Sequence, residues 1–141
     1  MVVKGMLEML SDGLKGFGCF ADRAYLKING KRFKRTSTSD IIDNILQENI
    51  DKEIAISTRH TCLFGNVIYS VKEENGEVTK IGIANLIIMT LLRVVVWLIP
   101  FVTAVFISAF AGGGFRYIPY VICLFPLVSL IRDNTCRNQL K

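Results

Sequence analysis

Two kinds of hydrophobic pattern divide the chain near residue 80. Before this point, short apolar runs alternate with polar positions and are separated by turn residues, as in a small folded domain. After it, residues 94–111 carry no charge and residues 115–131 carry a single one, Arg116. As helices these segments measure roughly 27 and 25 Å, close to the ~30 Å hydrocarbon core of a bilayer. The pattern predicts a two-helix transmembrane hairpin over residues 94–131, C-terminal to a small α+β cytosolic domain.

The segment that precedes the first predicted span is also apolar. A helix that began at residue 81 and ran to 111 would be about 46 Å long, which exceeds the hydrocarbon thickness. Arg93 favours the headgroup level, because a cation at the bilayer centre costs at least ~2.5 kcal/mol. Residues 81–93 are therefore interpreted as an interfacial segment or as a cytoplasmic extension of the first helix. The alternative moves the span to residues 81–99 and makes Arg93 a buried functional charge.

The distribution of cations predicts an orientation. Lys80 and Arg93 precede the first span, a basic tail follows the second over residues 132–141, and Arg116 is the one charge near the turn between them. Positive charge marks the cytoplasmic side, and the first 20 residues lack the pattern of a signal peptide. We therefore expect a multi-pass protein of the inner (plasma) membrane with both termini cytoplasmic, and with Arg93 and Arg116 as interfacial charges.

A stripe of small residues follows one side of the first span. Ala104, Ser108 and Gly112 recur at every fourth position, a spacing that lets two helix backbones approach closely. The stripe predicts packing between the two helices of the hairpin. Homo-oligomerisation, or docking to a larger membrane subunit, would use the same stripe.

The N-terminal half reads as a small domain with a leading segment. Apolar residues at helical spacing predict an amphipathic helix over residues 2–10, and a glycine-rich linker completes the segment 1–20. Within residues 21–80, the dipeptide Asn29-Gly30 predicts a β-hairpin that pairs Lys27 with Arg32. A helix over about 40–49 and about three further strands complete the predicted domain.

Five cations cluster on the predicted hairpin. Because anionic lipid headgroups attract such a cluster, we expect it to face the membrane or a protein partner. The domain as a whole has a net charge of only +1 (12 Lys/Arg against 11 Asp/Glu in residues 1–80), which argues against a nucleic-acid partner. The residues of this predicted surface are Lys27, Lys31, Arg32, Lys34 and Arg35.

No pattern of catalytic, cofactor-binding or metal-binding residues stands out. His60 is the single histidine, and the four cysteines form no CxxC pair, so neither a metal site nor a nucleophile pair is expected. The sequence favours a non-enzymatic, membrane-anchored interaction protein. It would be an accessory subunit, or an exclusion- or immunity-type factor, that acts on a larger membrane complex through its cytosolic domain. A homo-oligomeric pore-forming or membrane-perturbing protein is the alternative.

Overall fold

A computed structural model of the chain describes residues 1–15, 20–61, 63–111 and 117–140. Seven strands and three helices follow one another along this part of the chain. The strands are β1 (Val2–Leu10), β2 (Gly13–Lys15), β3 (Phe20–Ile28), β4 (Lys31–Ser39), β5 (Glu53–Thr61), β6 (Gly65–Lys72) and β7 (Val78–Lys80). The helices are α1 (Asp40–Glu48), α2 (Ile83–Ala111) and α3 (Ile118–Arg137).

Five of the strands close into a barrel. The sheet runs in the order β1-β5-β6-β4-β3, and β1 pairs with β3 to complete the circle. All of these pairings are antiparallel except that of β4 with β6. This order, with α1 between β4 and β5, is the Greek-key order of the OB-fold. The short strands β2 and β7 extend β3 and β6.

The predicted fold class, a two-helix transmembrane hairpin joined to a small α+β domain, is therefore wrong. Residues 2–10 form strand β1 rather than the predicted helix. A register shift between Leu7 and Met9 breaks the two-residue alternation of β1. Because of this bulge, the inward positions Val3, Leu7 and Leu10 acquire the spacing of a helix. The bulge therefore explains why the sequence pattern predicts a helix where β1 closes the barrel.

The central hairpin and α1 follow the local sequence signals. Asn29 and Gly30 both have positive φ, as the tight turn requires, and Lys27 pairs with Arg32 as predicted. Helix α1 begins after Ser39, whose hydroxyl accepts a hydrogen bond from the Ile42 amide at 3.5 Å.

The barrel core also takes in residues from both long helices. Leu86 and Met89 of α2 and Cys136 of α3 are buried in the same apolar cluster as the strands. The cluster therefore extends well beyond residues 21–80 in sequence. Its fully enclosed strand and helix members include Leu7, Leu26, Ile28, Ile42, Leu46, Ile54, Ile56, Val67, Ile68, Tyr69 and Val71.

Helix α2 is continuous from Ile83, although the sequence favours an interfacial segment over residues 81–93. Residues Ile83–Ala109 are long and apolar enough to cross a membrane, and only 17% of the most apolar window is buried inside the protein. In the described part of the chain no other helix meets that description, so a span in α3 is not supported. The charge-free part of α3, residues 118–131, is about 21 Å long, and polar residues follow it.

Candidate functional site

The last turns of α3 are fixed against strands β5 and β6. The Ser57 hydroxyl donates a hydrogen bond to the backbone carbonyl of Cys136 at 2.7 Å, in a buried position. Farther along, the Arg137 Nε donates to the carbonyl of Ile81, immediately before α2, at 2.8 Å. These contacts attach α3 to strand β5 and to the segment that leads into α2.

Asp133 lies at the centre of this junction, and its side chain is only 1% exposed. Its Oδ1 accepts hydrogen bonds from the Tyr69 hydroxyl at 2.7 Å and from Arg59 Nη1 at 2.6 Å. Its Oδ2 accepts from Arg93 Nη1, which also donates to the Ser129 hydroxyl at 2.8 Å. One carboxylate therefore connects two barrel strands with both long helices. We call Arg59, Tyr69, Arg93 and Asp133 the junction cluster.

The junction cluster contains two cations and one anion in a nearly dry setting. Burial and the negative charge of Asp133 raise the pKa of the Tyr69 hydroxyl above its ordinary value, so Tyr69 stays protonated and donates. Arg93 Nη2 has no hydrogen-bond partner among the described residues, and the guanidinium lies 5.9 Å from the centre of the Phe64 ring. Removing Asp133 would leave two arginines without their counter-ion.

Arg93 was predicted to be interfacial, with burial as the alternative, and in the structure it is buried (5% exposed). It also marks a boundary along α2. Leu86 and Met89, on the barrel side of it, are core residues, whereas beyond it Ala104 alone is buried among the described side chains of the helix.

The five cations of the predicted basic surface have different surroundings in the structure. Lys27 forms an ion pair with Glu8 at 2.5 Å, which together with the Gly30 amide lowers the pKa of that carboxyl. Arg32 stacks over Tyr25, with 3.8 Å from the guanidinium carbon to the ring centre. Ion pairs among the described residues involve none of the other three. All four cations of β4 are exposed: Lys31, Arg32, Lys34 and Arg35.

The basic strand β4 lies beside the β5–β6 turn. The Asn66 side-chain amide donates to the Lys34 carbonyl at 2.6 Å. Gly65 has φ +68, and a Cβ there would lie 2.3 Å from the carbonyl oxygen of Arg35, so only glycine fits. The turn thereby brings Phe64 and Arg35 to the same end of the barrel.

The small-residue stripe is described in part. Ala104 is 7% exposed, and the Ser108 hydroxyl donates to the Val105 carbonyl of its own helix at 2.8 Å. Nearer the barrel, the rings of Trp97 and Phe125 stack at 5.1 Å between α2 and α3. Gly112 and Arg116, the other members of the predicted sites, lie outside the described residues.

Comparison with protein-family models, with curated proteins and with solved structures finds no match.

A polar cleft of about 460 Å³ lies beside α1, away from the junction. Arg23 and Asp43 form a two-pronged ion pair there, with Nε–Oδ1 at 2.5 Å and Nη2–Oδ2 at 2.8 Å. This pair fastens α1 to β3 and uses the charge of Arg23. Within the described residues no group of three or more Asp, Glu, His or Cys is placed to hold a metal ion.

The sequence did not reveal the junction cluster. Asp133 is the single acidic residue after position 80, inside a region where a lone carboxylate needs a partner. This isolation indicates that Asp133 needs a cationic partner, and Arg93 in the preceding apolar segment is a candidate. Arg59 and Tyr69 carry no comparable signal, because their proximity depends on the closure of the barrel.

Proposed function

We propose that this chain is a non-enzymatic, membrane-anchored interaction protein that acts on a larger membrane complex. It would be an accessory subunit or an exclusion- or immunity-type factor. The junction cluster is the observation that carries the proposal. Asp133 binds Arg59 and Tyr69 of the barrel together with Arg93 of the apolar helix, so the barrel and α2 form one unit. A barrel held in a set orientation beside a membrane helix is suited to presenting a surface to a membrane partner.

The anchoring part of the proposal rests on α2. Beyond Arg93 the helix exposes large apolar side chains on several sides, including Ile99 (75%) and Phe106 (64%). Such a surface is stable in lipid or against another membrane protein, and unfavourable in water. A cytoplasmic barrel at the inner (plasma) membrane agrees with the cations near the barrel end of the helices, Lys80, Arg132 and Arg137.

The alternative, a homo-oligomeric pore, finds less support in the described helices. A groove of about 290 Å³ between α2 and α3 is apolar except for Thr90. The Thr90 hydroxyl donates a hydrogen bond to the Leu86 carbonyl of its own helix at 2.8 Å. This groove suits lipid chains or an apolar helix surface better than hydrated ions.

The test is site-specific photo-crosslinking of the full chain in its own membranes. A photoreactive residue is introduced at exposed barrel positions Asn75 or Lys52, and as a matched control at Ile99 on the exposed apolar part of α2. We expect a barrel position to yield one discrete adduct with a different membrane protein. The same partner should co-purify in fixed stoichiometry in mild detergent.

Two results would contradict the proposal. Adducts formed exclusively between copies of this chain, together with ion conductance of the purified protein in planar bilayers, would establish the pore. Recovery of the full chain from the soluble fraction without detergent would exclude membrane anchoring altogether.

A further inference from the structure

We propose that the barrel itself makes a second contact with the bilayer, through exposed leucines and neighbouring cations that bind anionic headgroups. Leu14 and Leu63 would enter the headgroup region, and Lys34 and Arg35 would bind the negative charge. The proposal deepens the proposed function, because it rests on α2 being inserted in the membrane. We call Leu14, Leu63, Lys34 and Arg35 the contact patch.

The members of the contact patch come from three separate parts of the chain. Leu14 on β2, Leu63 in the β5–β6 turn and Arg35 on β4 line one depression of about 280 Å³. Asp22 lines it too, and its carboxylate accepts a hydrogen bond from the Ser37 hydroxyl. Leu14 is 78% exposed and Leu63 is 38% exposed. Two exposed leucines beside unpaired cations form the composition by which peripheral surfaces bind membranes.

The contact patch lies at the level where α2 stops packing against the barrel core. Up to Arg93 the helix is buried on one side, with Leu86 and Met89, and exposes Ile83, Ile87 and Leu91 elsewhere. Phe64 follows Leu63 directly, and its ring is 5.9 Å from the Arg93 guanidinium. From Val94 onwards the described side chains of α2 are exposed or half-buried, except Ala104. A membrane that surrounds α2 beyond Arg93 would therefore meet the barrel at the β5–β6 turn.

The two ends of the barrel differ in their balance of charge. Strands β5 and β6 are antiparallel, so the turn at Leu63 is opposite the end where β5 begins and β6 finishes. At that opposite end, Asn49 Nδ2 contacts Glu73 Oε2 at 3.2 Å, which joins the end of α1 to the β6–β7 turn. This far end also carries Lys52 and Lys72, but its acidic residues outnumber them: Glu48, Asp51, Glu53, Glu73, Glu74 and Glu77.

This polarity favours a lipid surface over other occupants. A negatively charged membrane attracts the β4 end and repels the acidic end, which reinforces the orientation set by α2. On β4, Lys31 to Arg35 precede the first residue paired with β6, Thr36, so the cations extend past the start of that strand. Nucleic acid would also attract cations, but it offers no apolar environment for Leu63.

The experiment measures the depth of position 63 in full-length protein reconstituted in nanodiscs. The native tryptophan is removed by Trp97→Phe, and Leu63→Trp introduces a single reporter. Asn75→Trp, at the acidic end, is the matched control. The nanodiscs contain brominated phosphatidylcholine, either alone or with about 30% phosphatidylserine, and quenching of tryptophan emission reports contact with lipid.

We expect quenching at position 63 to be at least twice that at position 75 in the anionic nanodiscs, and to fall when 0.5 M salt is added. Lys34→Glu with Arg35→Glu should reduce it to the level of position 75. The control Lys4→Glu with Lys52→Glu changes the same number of charges away from the contact patch and should leave it unchanged. Anionic lipid affinity changes by roughly fivefold for each cation near the surface.

Three outcomes would overturn the proposal. Equal quenching at positions 63 and 75 would show that the barrel stands clear of the bilayer, while the anchoring by α2 would be unaffected. Equal quenching at position 63 in neutral and anionic nanodiscs would remove the role of the cations. Binding of a single-stranded oligonucleotide that Lys34→Glu with Arg35→Glu abolishes, without lipid quenching, would assign the patch to nucleic acid.

Discussion

Arg93 and Asp133 form an ion pair across the two long helices, 40 positions apart in sequence, with side chains 6% and 1% exposed. The same carboxylate binds Arg59 and Tyr69 of the barrel. The contact therefore does more than join two helices. It lies where α2 stops packing against the barrel core, beyond which the described side chains of the helix are exposed or half-buried except Ala104.

Replacement of Asp133 should separate the barrel from the helices. Asp133→Asn keeps the shape of the side chain but leaves Arg59 and Arg93 without a counter-ion. Breaking a buried pair in this way costs about 3–5 kcal/mol. We expect a lower midpoint of thermal unfolding in detergent and faster proteolysis between β7 and α2.

Arg132→Gln is the control for this substitution, since Arg132 is the adjacent exposed charge on α3. It should change the free energy of unfolding by less than about 0.5 kcal/mol, and the unfolding midpoint correspondingly little. If Asp133→Asn were equally harmless, the junction cluster would not hold the barrel to the helices.

Alkaline pH should weaken the fold through Tyr69. Burial and Asp133 raise the pKa of this hydroxyl above its unfolded value of about 10, so the folded state keeps the proton after the unfolded state has lost it. The stabilisation is complete below pH 10 and is lost as the pH rises above it, by up to about 1.4 kcal/mol per pH unit. Denaturant titration between pH 9 and 11 measures this slope.

Tyr69→Phe should remove that part of the pH dependence. The variant starts from lower stability at neutral pH because its hydrogen bond to Asp133 is gone, and above pH 10 it should lose less. Parallel stability curves for the variant and the parent above pH 10 would show that Tyr69 is not the group responsible.

Asp43→Asn should loosen α1 from the barrel. Asp43 is paired with Arg23, and the two side chains are 9% and 8% exposed. Loss of the pair should cost about 3 kcal/mol or more. Asp40→Asn, in the first turn of the same helix but not in the pair, should cost about 0.3–1 kcal/mol through the helix dipole. Chemical denaturation measures the free energy of unfolding of both variants. Equal decreases would show that Asp43 acts only as a charge near the start of the helix and not through its pair with Arg23.

Ala104→Leu should disturb the packing of α2 in its apolar part. Ala104 is buried, whereas Val105 beside it is 42% exposed. Extra bulk at a close-packed position typically costs 1–3 kcal/mol, so the variant should accumulate less or assemble differently. Val105→Leu is the matched control and should behave as the parent. Size-exclusion chromatography in mild detergent compares them, and identical profiles for all three would show that Ala104 faces lipid.

Local elements with strong chemical signatures were accessible from the sequence. The Asn29-Gly30 turn requires positive φ at both positions, which fixed the register of β3 and β4 before any tertiary contact was known. Helix α1 has a serine cap and a periodic apolar face. The apolar character of α2 follows from its composition, whereas its unbroken length from Ile83 was not predicted. Each of these depends on neighbours within a few residues.

The barrel and the junction cluster were decided by contacts between distant segments. Strand β1 bends at a bulge, so its pattern imitates a helix, and its identity becomes clear only when it pairs with both β3 and β5. Asp133 meets Arg59, Tyr69 and Arg93 from 74, 64 and 40 positions away. No local sequence pattern predicts these contacts, because they form only when the barrel closes and the end of α3 packs against β5 and β6. The sequence by itself determined the β3–β4 hairpin, helix α1 and the apolar character of α2. The tertiary structure determined which side chains bind the Asp133 carboxylate.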